Sequence, residues 1–240
     1  MRFSQDKYRY IITIICFLTL VTSVYANEVI EVKAGTVAPD GTPWGELVKR
    51  IVKRMRTQSN DRIKIKMFMG GVLGEEPAML RECRDGKLQL FGGSTSALAS
   101  LVPEFDALEL PYLFESDQEV DYVLDHVYDD AKKILADSDF IMYQWAENGW
   151  YGFGTKEKPI YYPVDLKGLK MRSQESKSHL ETFRVYGSNP IPISIPEVLS
   201  SLQTGVVDGF DNTPLFSFAT SWYQGIKYFT ASNHIYQPGI

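Results

Sequence analysis

Arg172 and Asn212 are the side chains whose types and positions point most directly to anion chemistry. An arginine grips a carboxylate through two parallel charge-assisted hydrogen bonds, which a lysine cannot match. Arg172 ends the string 169–172, which reads as a short strand, and Asn212 stands in the string 209–214 (GFDNTP), just past another. Each residue also has a plainer use. Arg172 can pair with a neighbouring acid such as Glu175, and Asp211 or Asn212 can cap a helix that Pro214 starts. Gly92 and Gly93, followed by Ser94, Thr95 and Ser96, form a third candidate, because backbone N–H groups at a helix start can cradle an anion. That string lacks the lysine of a phosphate loop.

Catalysis finds little footing. His126, His179 and His234 lie far apart, with no spacing that suggests metal ligands, and read as structural or surface residues. There is no Gly-x-Ser-x-Gly elbow. Cys83 sits among Arg81, Glu82, Arg84 and Asp85 and reads as a bystander on a helix.

The bulk numbers bound the rest. The chain has 240 residues, enough for one large or two smaller cored domains. A net charge of −5 argues against a nucleic-acid partner. With 14 Tyr, 13 Phe and 4 Trp, most rings must be core, and a minority can line a pocket. Residues 1–26 read as a cleaved signal peptide: Arg2, Lys7 and Arg9, then an apolar run over 11–21, then small residues up to Ala26. The run is shorter than the ~20 residues of a spanning helix. Cys16 lies inside it, so removal leaves Cys83 alone, without a disulfide framework.

The elements that must position these residues follow from periodicity. Strands are expected over 28–34, 62–68, 88–91, 140–145, 149–155, 169–172, 189–193 and 206–210. Helices are expected over 44–56, 75–85, 117–136, 176–185, 196–203 and 213–223. Two β-α-β-α-β runs emerge, so the class is α/β with mainly parallel sheets flanked by helices. Ligands in such sheets bind beyond the carboxyl ends of strands. Ser94, Thr95, Arg172 and residues 211–213 all fall at such ends, which predicts a cleft between two units meeting near residues 146–150.

The strings 71–75 (GVLGE), 110–114 (LPYLF), 165–172 (DLKGLKMR), 192–214 and 227–230, with Asn233 and His234, resemble in order and spacing the DctP-type solute receptors of TRAP transporters. The resemblance covers almost all of the chain after residue 26. It implies a two-lobed periplasmic binding protein-like fold: residues 27–149 with 238–240 as one lobe, 150–237 as the other, and a hinge between them. It implies a periplasmic receptor that closes over a small organic acid and hands it to a permease of small and large membrane subunits. No cofactor and no chemistry on the ligand are implied. Arg172 matches the carboxylate-binding arginine, and Asn212 the asparagine of the Asp-Gly-x-x-Asn segment. Ile195 falls where many members carry an aromatic wall, and Ser94, beside Thr95, where some sugar-acid receptors carry an acid. Thr36 and Val37 fall on the first cleft loop.

Two departures stand out. Many members carry a second arginine near residues 152–154, where this chain reads Gly152, Phe153 and Gly154. With one guanidinium fewer, a monocarboxylate with an apolar tail suits Trp150, Phe153, Ile195 and Phe210 better than a dicarboxylate. The string 199–205 also resembles a branch that takes hydrophobic ligands and works with a tetratricopeptide-repeat protein. Members also continue well beyond the position matching Ile240, so the resemblance implies a C-terminally shortened chain. An enzyme on a similar scaffold, a sensing ectodomain and a non-binding remnant stay open as other classes.

Overall fold

The computed structural model describes residues 29–240. The expected signal segment and Cys16 lie outside the described residues. The described chain forms two compact units. One is Leu47–Lys66 with the chain up to Val32; the other is Lys33–Glu46 with Met67–Ile240.

In the first unit, helix α1 (Pro43–Gln58) contributes residues 47–58. Its Leu47, Ile51 and Met55 recur at four-residue spacing, as an amphipathic helix requires, and remain partly exposed. Asn60 and Asp61, at φ 52° and 60°, turn the chain into β2 (Ile63–Phe68), and Arg56 pairs with Asp61 at the surface.

The second unit holds every candidate site residue. The end of β1 (Ile30–Thr36) pairs parallel with β3 (Leu90–Gly92), from Ala34 opposite Leu90 to Thr36 opposite Gly92. Between them runs α2 (Glu76–Arg84), which buries Met79 and Leu80. After β3 come α3 (Thr95–Ala99) and a 3-10 turn, Pro103–Glu109. Then follow α4 (Asp117–His126) and α5 (Tyr128–Ala136). Strand β4 (Ala146–Trp150) pairs antiparallel with β10 (Tyr236–Gly239).

A five-stranded sheet follows, ordered β7-β6-β8-β5-β9. Its strands are β5 (Gly152–Thr155), β6 (Lys170–Ser173), β7 (Asn189–Pro192), β8 (Gly209–Asn212) and β9 (Tyr228–Thr230). Strand β6 runs parallel to both β7 and β8, joined by α6 (Lys177–Val185) and α7 (Val198–Thr204). Strand β5 runs antiparallel to β8 and β9. The α/β class is as expected, with antiparallel pairs mixed among the parallel ones.

Four expected elements differ. The strand expected over 149–155 is divided at Tyr151 between β4 and β5, which belong to different sheets. Residues 140–145 form no strand. Trp145 instead turns its indole onto the Leu124 carbonyl and packs on Phe105, and pairing begins one residue later. The helix expected over 117–136 breaks at Val127, whose ψ of 3° leaves the helical basin. The helix expected over 213–223 is α8 (Pro214–Ala219). It stops before Ser221 at φ 62°, and a 3-10 turn, Trp222–Gly225, follows.

One apolar cluster joins Val37, Met79 and Leu88 to Val198, Leu202, Val207, Phe210, Phe216 and Trp222. Phe210 and Phe216 both meet the Trp222 ring edge-on, a favoured arrangement for aromatic rings. Among the described residues no helix is long and apolar enough to cross a membrane.

Candidate ligand-binding site

Arg172 stands on β6, the second strand of the five-stranded sheet, opposite Ile191 of β7 and Phe210 of β8. It is 3% exposed. Its Nε donates to the Ile193 carbonyl at 3.0 Å, and its guanidinium lies 5.0 Å from the centre of the Trp222 ring, within cation–π range. Among the described residues no carboxylate reaches it at salt-bridge distance. Burial lowers its pKa, the nearby charge of Asp211 opposes this, and a guanidinium stays charged through any such shift. An ion taken out of water in this way needs an opposite charge.

The opposite charge has a place to go. A cleft of about 150 Å³ borders Arg172, walled by Glu75, Glu76, Gln174, Ser194 and Ile195 among others. That volume suits a molecule of about benzene size. Glu75 accepts from the Ile195 backbone N–H at 2.9 Å. Glu76, the first residue of α2, accepts from both the N–H and the hydroxyl of Ser94. Burial pushes its carboxyl up to about 7, against the pull of those two bonds.

A second polar group is fully buried and does not border the cleft. Glu109, His179 and His234 are 0% exposed and Asp211 is 2% exposed. His179 Nε2 lies 2.8 Å from Glu109 Oε2, and its Nδ1 lies 3.5 Å from Asp211 Oδ2. His234 Nε2 approaches the same Asp211 oxygen at 3.6 Å, and its ring stacks on Phe153. Glu109 also accepts from Thr95 and Gln237. For His179, burial acts to lower the pKa, but the two carboxylates outweigh it and raise it to about 9. For Asp211, burial acts upward and the two imidazoles outweigh it, holding the carboxyl below its ordinary value. The arrangement holds charges in place and has no exposed nucleophile. Among the described residues no group of three or more His, Cys, Asp or Glu is set to hold a metal ion.

Of the residues singled out by sequence, Arg172 and Ile195 line this cleft together. Ser94 caps α3 through Ala97 N–H and bonds Glu76 behind the wall, while its neighbours Ser96 and Ala97 face the cleft. Thr95 is spent on Glu109 and the Pro238 carbonyl. Thr36 is buried, and its hydroxyl accepts from Ala38 N–H; Val37 joins the apolar cluster. Asn212 is buried next to the polar group, with its Oδ1 accepting from Thr213 N–H. The helix cap expected of Asp211 or Asn212 is supplied instead by Thr213, whose hydroxyl accepts from Phe216 N–H.

The aromatic wall lies elsewhere. Trp150 donates to Asp117 and packs on Tyr236, Phe153 stacks on His234, and Phe210 packs on Trp222. At residues 152–154 there is no room for another arginine: a Cβ on Gly154 meets the Phe210 ring at 2.5 Å, and one on Gly152 meets the Thr230 carbonyl at 2.5 Å. Sequence reasoning missed Glu75, Glu76 and Gln174. Two adjacent acids at a helix start read as partners of the helix dipole, and Gln174 was eclipsed by Arg172 two residues before it.

Residues 34–240 match the family model described as bacterial extracellular solute-binding protein, family 7. The chain belongs to that family. It is 28% identical over 191 residues to the 2,3-diketo-L-gulonate-binding periplasmic protein YiaO of Escherichia coli K12, a match covering 79% of this chain and 58% of the relative. Among solved structures it resembles a TRAP periplasmic solute-binding protein from Sulfitobacter sp. NAS-14.1 with bound β-D-galacturonate. The TM-score is 0.85 at 25% identity, over 88% of this chain and 70% of that one. A second, from Sulfurospirillum deleyianum with bound succinate, gives a TM-score of 0.83 at 27% identity, over 87% and 68%. The family 7 chain described here spans 58% and 59% of the length of the first two curated relatives it matches.

Proposed function

We propose that this chain is the ligand-capturing receptor of a TRAP transporter, binding a small organic acid in the periplasm and delivering it to the small and large membrane subunits of a permease. The observation that carries this reading is Arg172: a buried guanidinium at a cleft, with its Nε fixed and no carboxylate of the described chain paired with it. A ligand carboxylate supplies the missing charge. Residues 1–26 would act as the cleaved export signal. The relatives support the ligand class, since those solved with a uronate or with succinate carry carboxylates.

The cleft favours an acid with one carboxylate and further hydroxyls. Glu75 and Glu175 line it beside one guanidinium, so a second carboxylate meets repulsion while hydroxyl donors meet acceptors. The apolar tail considered from sequence loses its support, because of Trp150, Phe153, Ile195 and Phe210 only Ile195 borders the cleft. Calorimetry with a panel of mono- and dicarboxylic acids tests the reading. Arg172→Ala should cost about 2–5 kcal/mol of affinity for the acid that binds. Unchanged binding would make Arg172 a structural residue and remove the reading.

A further inference from the structure

Gln174 follows Arg172 by two positions, one residue beyond β6. Side chains two apart along an extended chain point to the same side, with Cα atoms about 6–7 Å apart. Both residues border the same cleft. The backbone at Gln174 is pinned: its carbonyl accepts from the Ser173 hydroxyl and from Ser176 N–H, each at 2.9 Å, just before Ser176 caps α6. The amide nitrogen of Gln174 is shielded from solvent, yet among the described residues it donates to nothing.

A buried donor without a partner costs about 1–3 kcal/mol, and folded chains rarely tolerate one without a use. Two of the three carboxylates in the cleft wall are engaged within the protein, and the third, Glu175, is exposed to solvent. Glu76 holds Ser94 with both oxygens, and Glu75 holds the Ile195 backbone. We propose that Gln174 is a ligand-recognition residue, donating from Nε2 to an uncharged oxygen of an acid whose carboxylate rests on Arg172. This rests on the receptor reading above and deepens it: the preferred ligand is a hydroxy or oxo monocarboxylate, not an unsubstituted alkyl acid of equal length. The amide also supplies a second point of orientation where Gly152 and Gly154 leave no room for a second guanidinium.

The test uses the full chain and matched pairs of acids from three to six carbons: glycerate with propionate, erythronate with butyrate, gluconate with hexanoate. Calorimetry and thermal shift are read for the unaltered protein and for Gln174→Met. The unaltered chain should prefer the hydroxy acid of at least one pair by about tenfold. Gln174→Met should lose that preference while keeping its affinity for the unsubstituted acid, and its ligand-free melting midpoint should stay level or rise, since no internal bond is lost. Equal loss for both members of a pair, or a lowered ligand-free midpoint, makes Gln174 structural and overturns the assignment. Full retention of the preference overturns it too, and leaves the receptor reading standing. Silence of the unaltered protein across all six acids overturns this assignment, and the receptor reading then falls or stands on the wider panel of mono- and dicarboxylic acids.

Discussion

The imidazole of His179 and the carboxylate of Glu109 meet at 2.8 Å, and neither side chain is exposed to solvent. Asp211 faces the other ring nitrogen, Gln237 and Thr95 hold Glu109, and the Tyr151 ring lies 5.7 Å from the imidazole. The pair ties α6 to the 3-10 turn at Pro103–Glu109. His179→Gln removes the cation and leaves two buried carboxylates less compensated, which should cost about 3–5 kcal/mol of stability. The sign of its pH dependence follows from the raised pKa of about 9 against an ordinary 6.5. The stabilisation is complete below pH 6.5 and is lost as pH rises through 9, by about 3 kcal/mol in all. Denaturant melts of both proteins from pH 6 to 10 check this; a parallel pH profile in the variant counts against the pair.

Glu76 carries a linked effect in a lower window. Its folded pKa of about 7 lies above the ordinary 4.5. The folded protein therefore keeps a proton that the unfolded chain releases, and stability should fall as pH rises from 4.5 to 7. Glu76→Gln keeps a neutral group beside Ser94 and should flatten that slope, gaining stability at pH 8 relative to pH 5. Melting midpoints at the two pH values decide it; an unaltered slope in the variant assigns the effect elsewhere.

The two β-α-β runs were legible because their apolar periodicity is local. Ser176 before α6 and the Gly86 turn after α2, at φ 73°, follow from the same local chemistry. Arg172 was legible as a site residue by its type and its place in the strand. The meeting of Glu109, His179, Asp211 and His234 was not, since 125 residues separate its ends and no spacing rule joins them. The same limit hid Glu75 and Glu76, which border the cleft because α2 packs where β6 and the loop after β7 arrive. The missing strand over 140–145 failed for a different reason: a short run of apolar and aromatic residues fits a buried strand, but Trp145 found its partners on α4 and the 3-10 turn.

Close approach of β5 and β8 gives a sharper test of packing. A methyl at Gly154 falls 2.5 Å from the Phe210 ring, and Phe210 is itself fully buried against Trp222. Gly154→Ala should therefore destabilise by about 1–3 kcal/mol, the range for overfilling a close-packed core. Because Trp222 lies over Arg172, the same variant should also weaken acid binding. A variant as stable as the parent would mean that the ring has room to move.

Charge balance at the cleft mouth predicts selectivity. Glu175 is exposed and lines the cleft with Glu75 and Glu76, whereas Arg172 alone offers a positive charge there. A dicarboxylate must place its second charge against this acidic rim. Glu175→Gln removes one rim charge without touching a buried bond, so the gain is that of a solvent-screened pair, below about 1 kcal/mol. Succinate affinity should rise by up to about fivefold in the variant, while that of a singly charged acid of the same length changes less than twofold. The difference should shrink at high salt, as screening requires. Equal gains for both acids would place the effect in cleft access, and no gain for succinate would remove the rim as a source of selectivity.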